Sequence, residues 1–154
     1  MLTPQQTAFL QSASQAAIVA EKATACPAEL SVAQCAIESG WGKSSPGNNC
    51  FGIKASDTHE TYQLTKEYLN GQWQTMRLAF EAYDSLADCF IAHAKLIQGG
   101  RYSDAWREYE QDRDLDNLIR GIAHIYATAP GYATEILSLA HNAAVTAAIA
   151  KAQP

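Results

Sequence analysis

The chain has 154 residues, 47% of them hydrophobic and 18% charged, which suits a single domain with a sizeable core and excludes disorder along its length. Sixteen acidic residues against eleven basic ones give a formal charge of −5, and no Lys/Arg run occurs. A duplex nucleic-acid binder needs a basic footprint, so that class is excluded, and the acidity argues against adhesion to an anionic membrane.

Met1-Leu2-Thr3-Pro4-Gln5-Gln6 lacks the positive and apolar regions of a secretory signal, and no stretch approaches the ~18–20 apolar residues of a spanning helix. The expectation is a chain that stays where it is made, leaves by a route needing no cleavable signal, or has been trimmed. Thr3 as cap, Pro4 at the first helical position and Gln6 as the capping-box partner open a helix. Its apolar stripe runs through Phe9, Leu10, Ala13, Ala16, Ala17 and Ala20 towards Thr24, and Pro27 interrupts it. A second helix is predicted from near Ser31 to Ser39, with Gly40 as its stop.

From Trp41 to about Tyr83 glycine, serine, proline and asparagine crowd the chain and disfavour helix. Within that stretch, residues 64–69, Asn70-Gly71 and residues 72–78 read as a β-hairpin, because both turn positions want positive φ. A two-residue loop sets Tyr68 beside Trp73 on one face and puts Thr65, Glu67, Gln74 and Met76 on the other. Helices return with Ser85–Gln98, then Ser103 to about Glu110, then a segment marked by Leu115, Leu118, Ile119, Ile122 and Ile125 that ends before Pro130. A last, alanine-rich helix is predicted from roughly Tyr132 to Lys151 as one well-buried element. The layout is one α+β domain over residues 1–154, with a β-lobe at approximately 43–82.

The four cysteines (Cys26, Cys35, Cys50, Cys89) lie 9, 15 and 39 residues apart, without the short paired spacings of a zinc site. They permit three full disulfide pairings, or none. The histidines (His59, His93, His124, His141) lack HxxxH or HExxH spacing and read as surface or satisfied core residues, so no metal is expected. No glycine-rich phosphate loop occurs, and no cofactor is expected.

Glu38 stands out. It falls in the last turn of an otherwise apolar helix, where the helix dipole and the apolar surroundings both disfavour a carboxylate and predict a raised pKa. A carboxylic acid kept protonated is what a general acid needs to hand a proton to a departing sugar oxygen. The glycines of Gly40-Trp41-Gly42 let the chain turn sharply and bring an aromatic ring close.

The run from Ala33 through Glu38-Ser39-Gly40-Trp41-Gly42, then Asn48-Asn49-Cys50-Phe51-Gly52-Ile53-Lys54-Ala55, resembles the signature of glucosaminidases in glycoside hydrolase family 73, the flagellar and autolysin-type peptidoglycan hydrolases. Tyr126-Ala127-Thr128-Ala129-Pro130-Gly131-Tyr132-Ala133 is similar to a later family segment, and Lys66-Glu67-Tyr68 falls where the family has its β-lobe glutamate. The resemblance implies a lysozyme-like fold with a glycan cleft between a helical lobe and a β-hairpin lobe. It also implies hydrolysis of the β-1,4 bond between N-acetylglucosamine and N-acetylmuramic acid. Carried over by position, Glu38 is the general acid, Tyr126 lines the catalytic subsite, and Trp41, Asn49 and Phe51 shape the cleft floor. Cys35 and Cys50 stand where the family usually has Ala and Leu, which points to packing or a disulfide, and Ala129 replaces a usual Asp.

Opposite the acid a glycosidase needs a second group, at about 5–5.5 Å for retention or about 6.5–9.5 Å for inversion. Glu67 on the hairpin is the first candidate, Glu60 the second and Asp57 the third; the substrate's N-acetyl group is the alternative to all three. Trp41, Tyr62, Tyr68, Trp73, Tyr126 and Tyr132 are candidate sugar-stacking residues, with hairpin packing the alternative for Tyr68 and Trp73, whereas Phe90 and Trp106 sit at core spacing. The expected partner is the peptidoglycan glycan strand, met by a monomer. A muramidase or lytic transglycosylase on the same fold is the related alternative, and a catalytically silent glycan-binding module the rival. A substrate outside the membrane combined with no visible export signal leads to the expectation of a phage endolysin dependent on a holin, or of a secreted effector with an immunity protein.

Overall fold

The computed structural model describes residues 1–54, 60–127 and 129–154, with backbone alone at 60–65 and at 77 and 78. It is α+β: mostly helices, with one antiparallel hairpin among the described residues. Helix α1 (Pro4–Thr24) starts as predicted, with Gln6 N–H donating to Thr3 Oγ1 at 3.1 Å and Thr3 N–H donating to Gln6 Oε1 at 3.0 Å. Helix α2 (Ala28–Glu38) begins three residues before the predicted Ser31. Its first amide, Ala28 N–H, donates to Glu21 Oε2 of α1 at 2.7 Å, so a neighbouring helix supplies the cap and Ser31 is buried instead.

Helix α2 is the hub. Val32 and Cys35 join one core with α1, the first half of α3 (Leu86–Ile97) and Val145 and Ile149 of α7 (Ala143–Ala152). Leu30 and Ala33 join a second core with the end of α3, Trp106 of α4 (Ser103–Asp112), the apolar stripe of α5 (Leu115–Tyr126) and Ile136 of α6 (Tyr132–Ala140). Burial on nearly every side explains its short, small-residue composition. Phe90 and Trp106 are core residues, as their spacing predicts.

Strands β1 (Glu60–Leu69) and β2 (Gln72–Glu81) pair in the predicted register, with Tyr68 opposite Trp73 and Glu67 opposite Gln74. Asn70 and Gly71 both take positive φ, 52° and 78°. The hairpin runs four residues further at its start and three at its end than predicted, because its base is pinned. Glu81 N–H donates to Ile53 O at 2.9 Å, Lys54 bridges to Phe80, and Tyr83 N–H donates to Gly47 O at 2.8 Å. A two-stranded hairpin is marginal in water by itself, so this root supports it.

The alanine-rich C-terminal run is two helices rather than one. Asn142 leaves helical geometry and accepts from Ala144 N–H at 2.9 Å and Val145 N–H at 3.4 Å, capping α7 and ending α6. Nor is the run buried all round: α7 buries only Val145 and Ile149 among its ten residues, since its alanines need one face against α1 and leave the other open. No described helix is long and apolar enough to cross a membrane. Asn142→Ala removes the cap and should cost about 1 kcal/mol, seen as a melting temperature lowered by about 2–4 °C in a thermal scan; an unchanged or higher value would indicate a helix continuous through this position.

Candidate active site

The last turn of α2 is closed by its own backbone and by Ser39. Ser39 Oγ donates to Cys35 O at 2.6 Å and accepts from Gly42 N–H at 2.9 Å, while Trp41 N–H donates to Ala36 O at 2.8 Å. Gly40, Trp41 and Gly42 all have positive φ, so the chain reverses within three residues directly after Glu38. For a bulky tryptophan this conformation is strained, and its ring is held edge-on against Phe9 of α1 at 5.8 Å. A Cβ on Gly42 would meet that same Phe9 at 2.8 Å. Trp41 therefore anchors the turn on α1.

Tyr132, the first residue of α6, donates its hydroxyl proton to Glu38 Oε1 at 2.8 Å. Burial pushes the Glu38 carboxyl above the ordinary carboxylate range, and the Tyr132 hydrogen bond opposes this in part. The residue keeps solvent exposure on one side, so a proton held there is accessible to a ligand. Tyr126, the last residue of α5, lies parallel to Tyr132 with ring centroids 6.2 Å apart and donates to Phe51 O at 2.9 Å. Burial, reinforced by the charge of Glu38, pushes both tyrosine hydroxyls well above their usual range, so they act as hydrogen-bond donors rather than bases.

Asn49 and Phe51 are buried to 3% and 2% exposure, so their side chains face into the core instead of meeting a ligand. Asn49 Nδ2 donates to Ile53 O at 2.7 Å and to Glu81 O at 2.9 Å, and Oδ1 accepts from Phe51 N–H at 3.3 Å and Ile53 N–H at 3.1 Å. Every polar valence of the amide is thus used to bind the loop to the hairpin root. The Phe51 ring stacks on His93 at 3.8 Å and meets Phe90 at 5.0 Å. Ala129 is exposed, and its carbonyl accepts from Tyr132 N–H at 3.3 Å where α6 begins.

Glu67 is half-buried on β1, two residue pairs from the turn, and seven residues beyond Glu60 it stands roughly 23 Å along the strand at the usual rise. The backbones of Glu60 and Tyr62 lie in β1, opposite Glu81 and Ala79, and their side chains fall outside the description; Asp57 lies outside the described residues. All four cysteines are free and buried. Cys50 lies against both Cys35 and Cys89; burial raises the Cys50 thiol pKa, the hydrogen bond with Cys50 lowers that of Cys89, and the three small side chains pack together in the core with Phe51. Cys26 is likewise pushed up to about 12 by burial.

Two residues of the site were not singled out by the sequence. Gln34, one turn before Glu38 on α2, donates from Nε2 to the Tyr132 hydroxyl at 3.2 Å, and its Oε1 meets His93 Nε2 at 2.8 Å. The available signal was an amide at i−4 from the acid on an apolar helix, and a histidine inside the apolar stripe of α3. A groove of about 710 Å³ between α1 and α7, lined by Leu2, Leu10, Ala144 and Ala148, contains none of these groups and no carboxylate.

Asn49→Ala orphans two carbonyls and two amides at the hairpin root and should cost about 3 kcal/mol or more, read as a lowered urea midpoint; a change within error would mean that the bracket is dispensable. Because folding raises the pKa of Glu38, the stability its protonated form contributes is complete below pH ~4.5 and is lost as the pH rises through the folded value. Glu38→Gln mimics the protonated form. Its melting temperature should match the wild type at pH 4 and equal or exceed it at pH 7; a lower value at pH 7 would contradict the sign.

The family model described as mannosyl-glycoprotein endo-beta-N-acetylglucosaminidase matches residues 14–144. An autolysin of Enterococcus faecalis is 36% identical over 118 residues, which is 68% of this chain and 16% of the autolysin. A probable N-acetylmuramidase of Lactococcus lactis is 30% identical over 141 residues, 84% of this chain and 31% of that protein. The chain therefore spans less than a third of either of these relatives. Among solved structures, a peptidoglycan hydrolase mutant from Sphingomonas sp. A1 superposes with a TM-score of 0.73 at 29% identity, covering 94% of this chain and 99% of that one. With the family model extending over most of the sequence and a helical lobe and hairpin that superpose on a solved peptidoglycan hydrolase, the chain belongs to the glucosaminidase family, glycoside hydrolase family 73.

Proposed function

We propose that the protein is a peptidoglycan hydrolase that cleaves the β-1,4 bond between N-acetylglucosamine and N-acetylmuramic acid, with Glu38 as the general acid. The observation that carries this reading is the Glu38 carboxyl. One oxygen is held by Tyr132, burial raises the pKa, and solvent reaches one side. In the reaction Glu38 gives its proton to the leaving glycosidic oxygen as the C1–O bond breaks and positive charge develops on the sugar ring. Glu67 is proposed as the hairpin carboxylate that activates water or supports that charge. The parallel Tyr126 and Tyr132 rings are proposed to line the subsite around the acid, with Trp41 and Tyr62 as outer contacts.

A relative named as a probable N-acetylmuramidase favours a second reading, in which the same acid acts on the other glycosidic bond. Mass spectrometry of digested sacculi separates the two, since fragments ending in reducing N-acetylglucosamine support the glucosaminidase and fragments ending in N-acetylmuramic acid, reducing or anhydro, support the alternative. A silent binding module would pull down with sacculi and release nothing.

Glu38→Gln should lower the rate of sacculus digestion by about 10²–10⁴-fold, the usual worth of general acid help, with its circular dichroism unchanged. A variant retaining most of the wild-type rate would remove Glu38 from this role.

A further inference from the structure

Behind the Glu38–Tyr132 bond a line of buried groups continues into the core. Gln34 on α2 and His93 on α3 are 1% and 0% exposed, on two helices whose other buried positions are almost entirely apolar. Burying a polar group costs free energy unless it is hydrogen-bonded, so these two need a structural or functional reason. Their bonds form one chain: His93 Nε2 to Gln34 Oε1 at 2.8 Å, Gln34 Nε2 to the Tyr132 hydroxyl at 3.2 Å, and that hydroxyl to Glu38 Oε1 at 2.8 Å.

The chain has a direction. Burial pushes the His93 pKa down to about 3, so the ring is neutral and carries one proton. With that proton on Nε2, His93 donates to Gln34 Oε1, Gln34 Nε2 donates to the Tyr132 oxygen, and Tyr132 directs its own proton at Glu38 Oε1. Reversing the order would flip the amide, turn the Tyr132 proton towards Gln34, and move the ring proton to Nδ1. His93 Nδ1 is buried with no partner. A buried N–H without an acceptor is rarer and costlier than a buried lone pair without a donor, so the first order is favoured.

We propose that Gln34 and His93 are positioning residues for the acid, fixing the polarity of the Tyr132 hydroxyl so that Glu38 Oε1 always accepts and the transferable proton resides on Oε2. Oε2 receives no hydrogen bond from the described residues, so it is the oxygen free to meet a glycosidic oxygen. This proposal rests on the reading of Glu38 as the general acid. The titratable groups whose fields Glu38 shares are Tyr126 at the end of α5 and Tyr132 at the start of α6. Both stay protonated, which leaves the carboxyl, raised above the ordinary carboxylate range by burial, as the member of this set that exchanges its proton.

The test uses the purified protein, with sacculus turnover followed across pH and the Glu38 side-chain titration followed by carbon-13 NMR. His93→Phe keeps a ring against Phe51 but removes the donor, and His93→Gln returns an amide N–H near the position of Nε2. The double variant Gln34→Met/His93→Phe removes both partners together, so no buried polar group is orphaned and the fold is preserved. In the double variant kcat should fall about fivefold, the worth of one neutral hydrogen bond, with KM within twofold. The basic limb of the profile and the titration midpoint of Glu38 should both move to higher pH, because the bond that steadies its carboxylate is weakened. His93→Gln should recover most of the wild-type rate and midpoint relative to His93→Phe.

The proposal is overturned if the double variant leaves the midpoint and profile unmoved, or if His93→Gln behaves like His93→Phe. If Glu38→Gln is inactive while these variants behave as wild type, the relay alone is wrong. If Glu38→Gln is active, the acid reading fails and the relay fails with it.

Discussion

The chemistry of the site is organised around the hydrogen bond from Tyr132, at the start of α6, to Glu38, at the end of α2, side chains 94 residues apart in the sequence. Glu38 occupies a position that both the helix dipole and burial make unfavourable for a charged carboxylate. Tyr132 steadies one oxygen without supplying a positive charge. A lysine or arginine there would have driven the carboxyl towards permanent ionisation; a neutral donor preserves a carboxyl that still exchanges its proton.

The rest of the molecule keeps that pair in register. Helix α2 lies between two apolar cores, so its last turn is supported from both sides. Asn49 binds the loop before the hairpin to the hairpin's root, and the Phe51 carbonyl receives Tyr126. Cys35, Cys50 and Cys89 fill the space below, in contact but free, acting as small hydrophobic side chains where the family resemblance has alanine and leucine at two of the three positions. The departure from the family pattern at these positions is one of packing, on a surface remote from solvent.

Polar groups inside a core impose strict conditions, since each must find a partner of correct polarity. Gln34 and His93 meet them through bonds spanning 98 and 59 residues of sequence, and the ring nitrogen left over is one whose unpaired state is tolerable as a lone pair. The same demand for complete satisfaction explains why Asn49 is closed to ligands. An amide with all four hydrogen bonds made inside the protein has none to offer a sugar.

Features governed by neighbours a few residues away were legible in the sequence: the Thr3–Gln6 capping box, the Asn70-Gly71 turn with its Tyr68–Trp73 register, and a glutamate set against the dipole of an apolar helix. Features governed by distant partners were not. Glu21 starts α2 early from another helix, Asn142 breaks an alanine-rich run that periodicity read as continuous, and Asn49 and Phe51 turn inward although their motif suggested a cleft surface. Propensity, capping and turn chemistry act within about four residues, so local sequence placed the locally capped helix start and the hairpin turn and marked the acid. Which oxygen of that acid is held, and by what line of donors, was decided by tertiary packing, because only packing removes water and leaves each buried polar atom with the partners the fold brings to it.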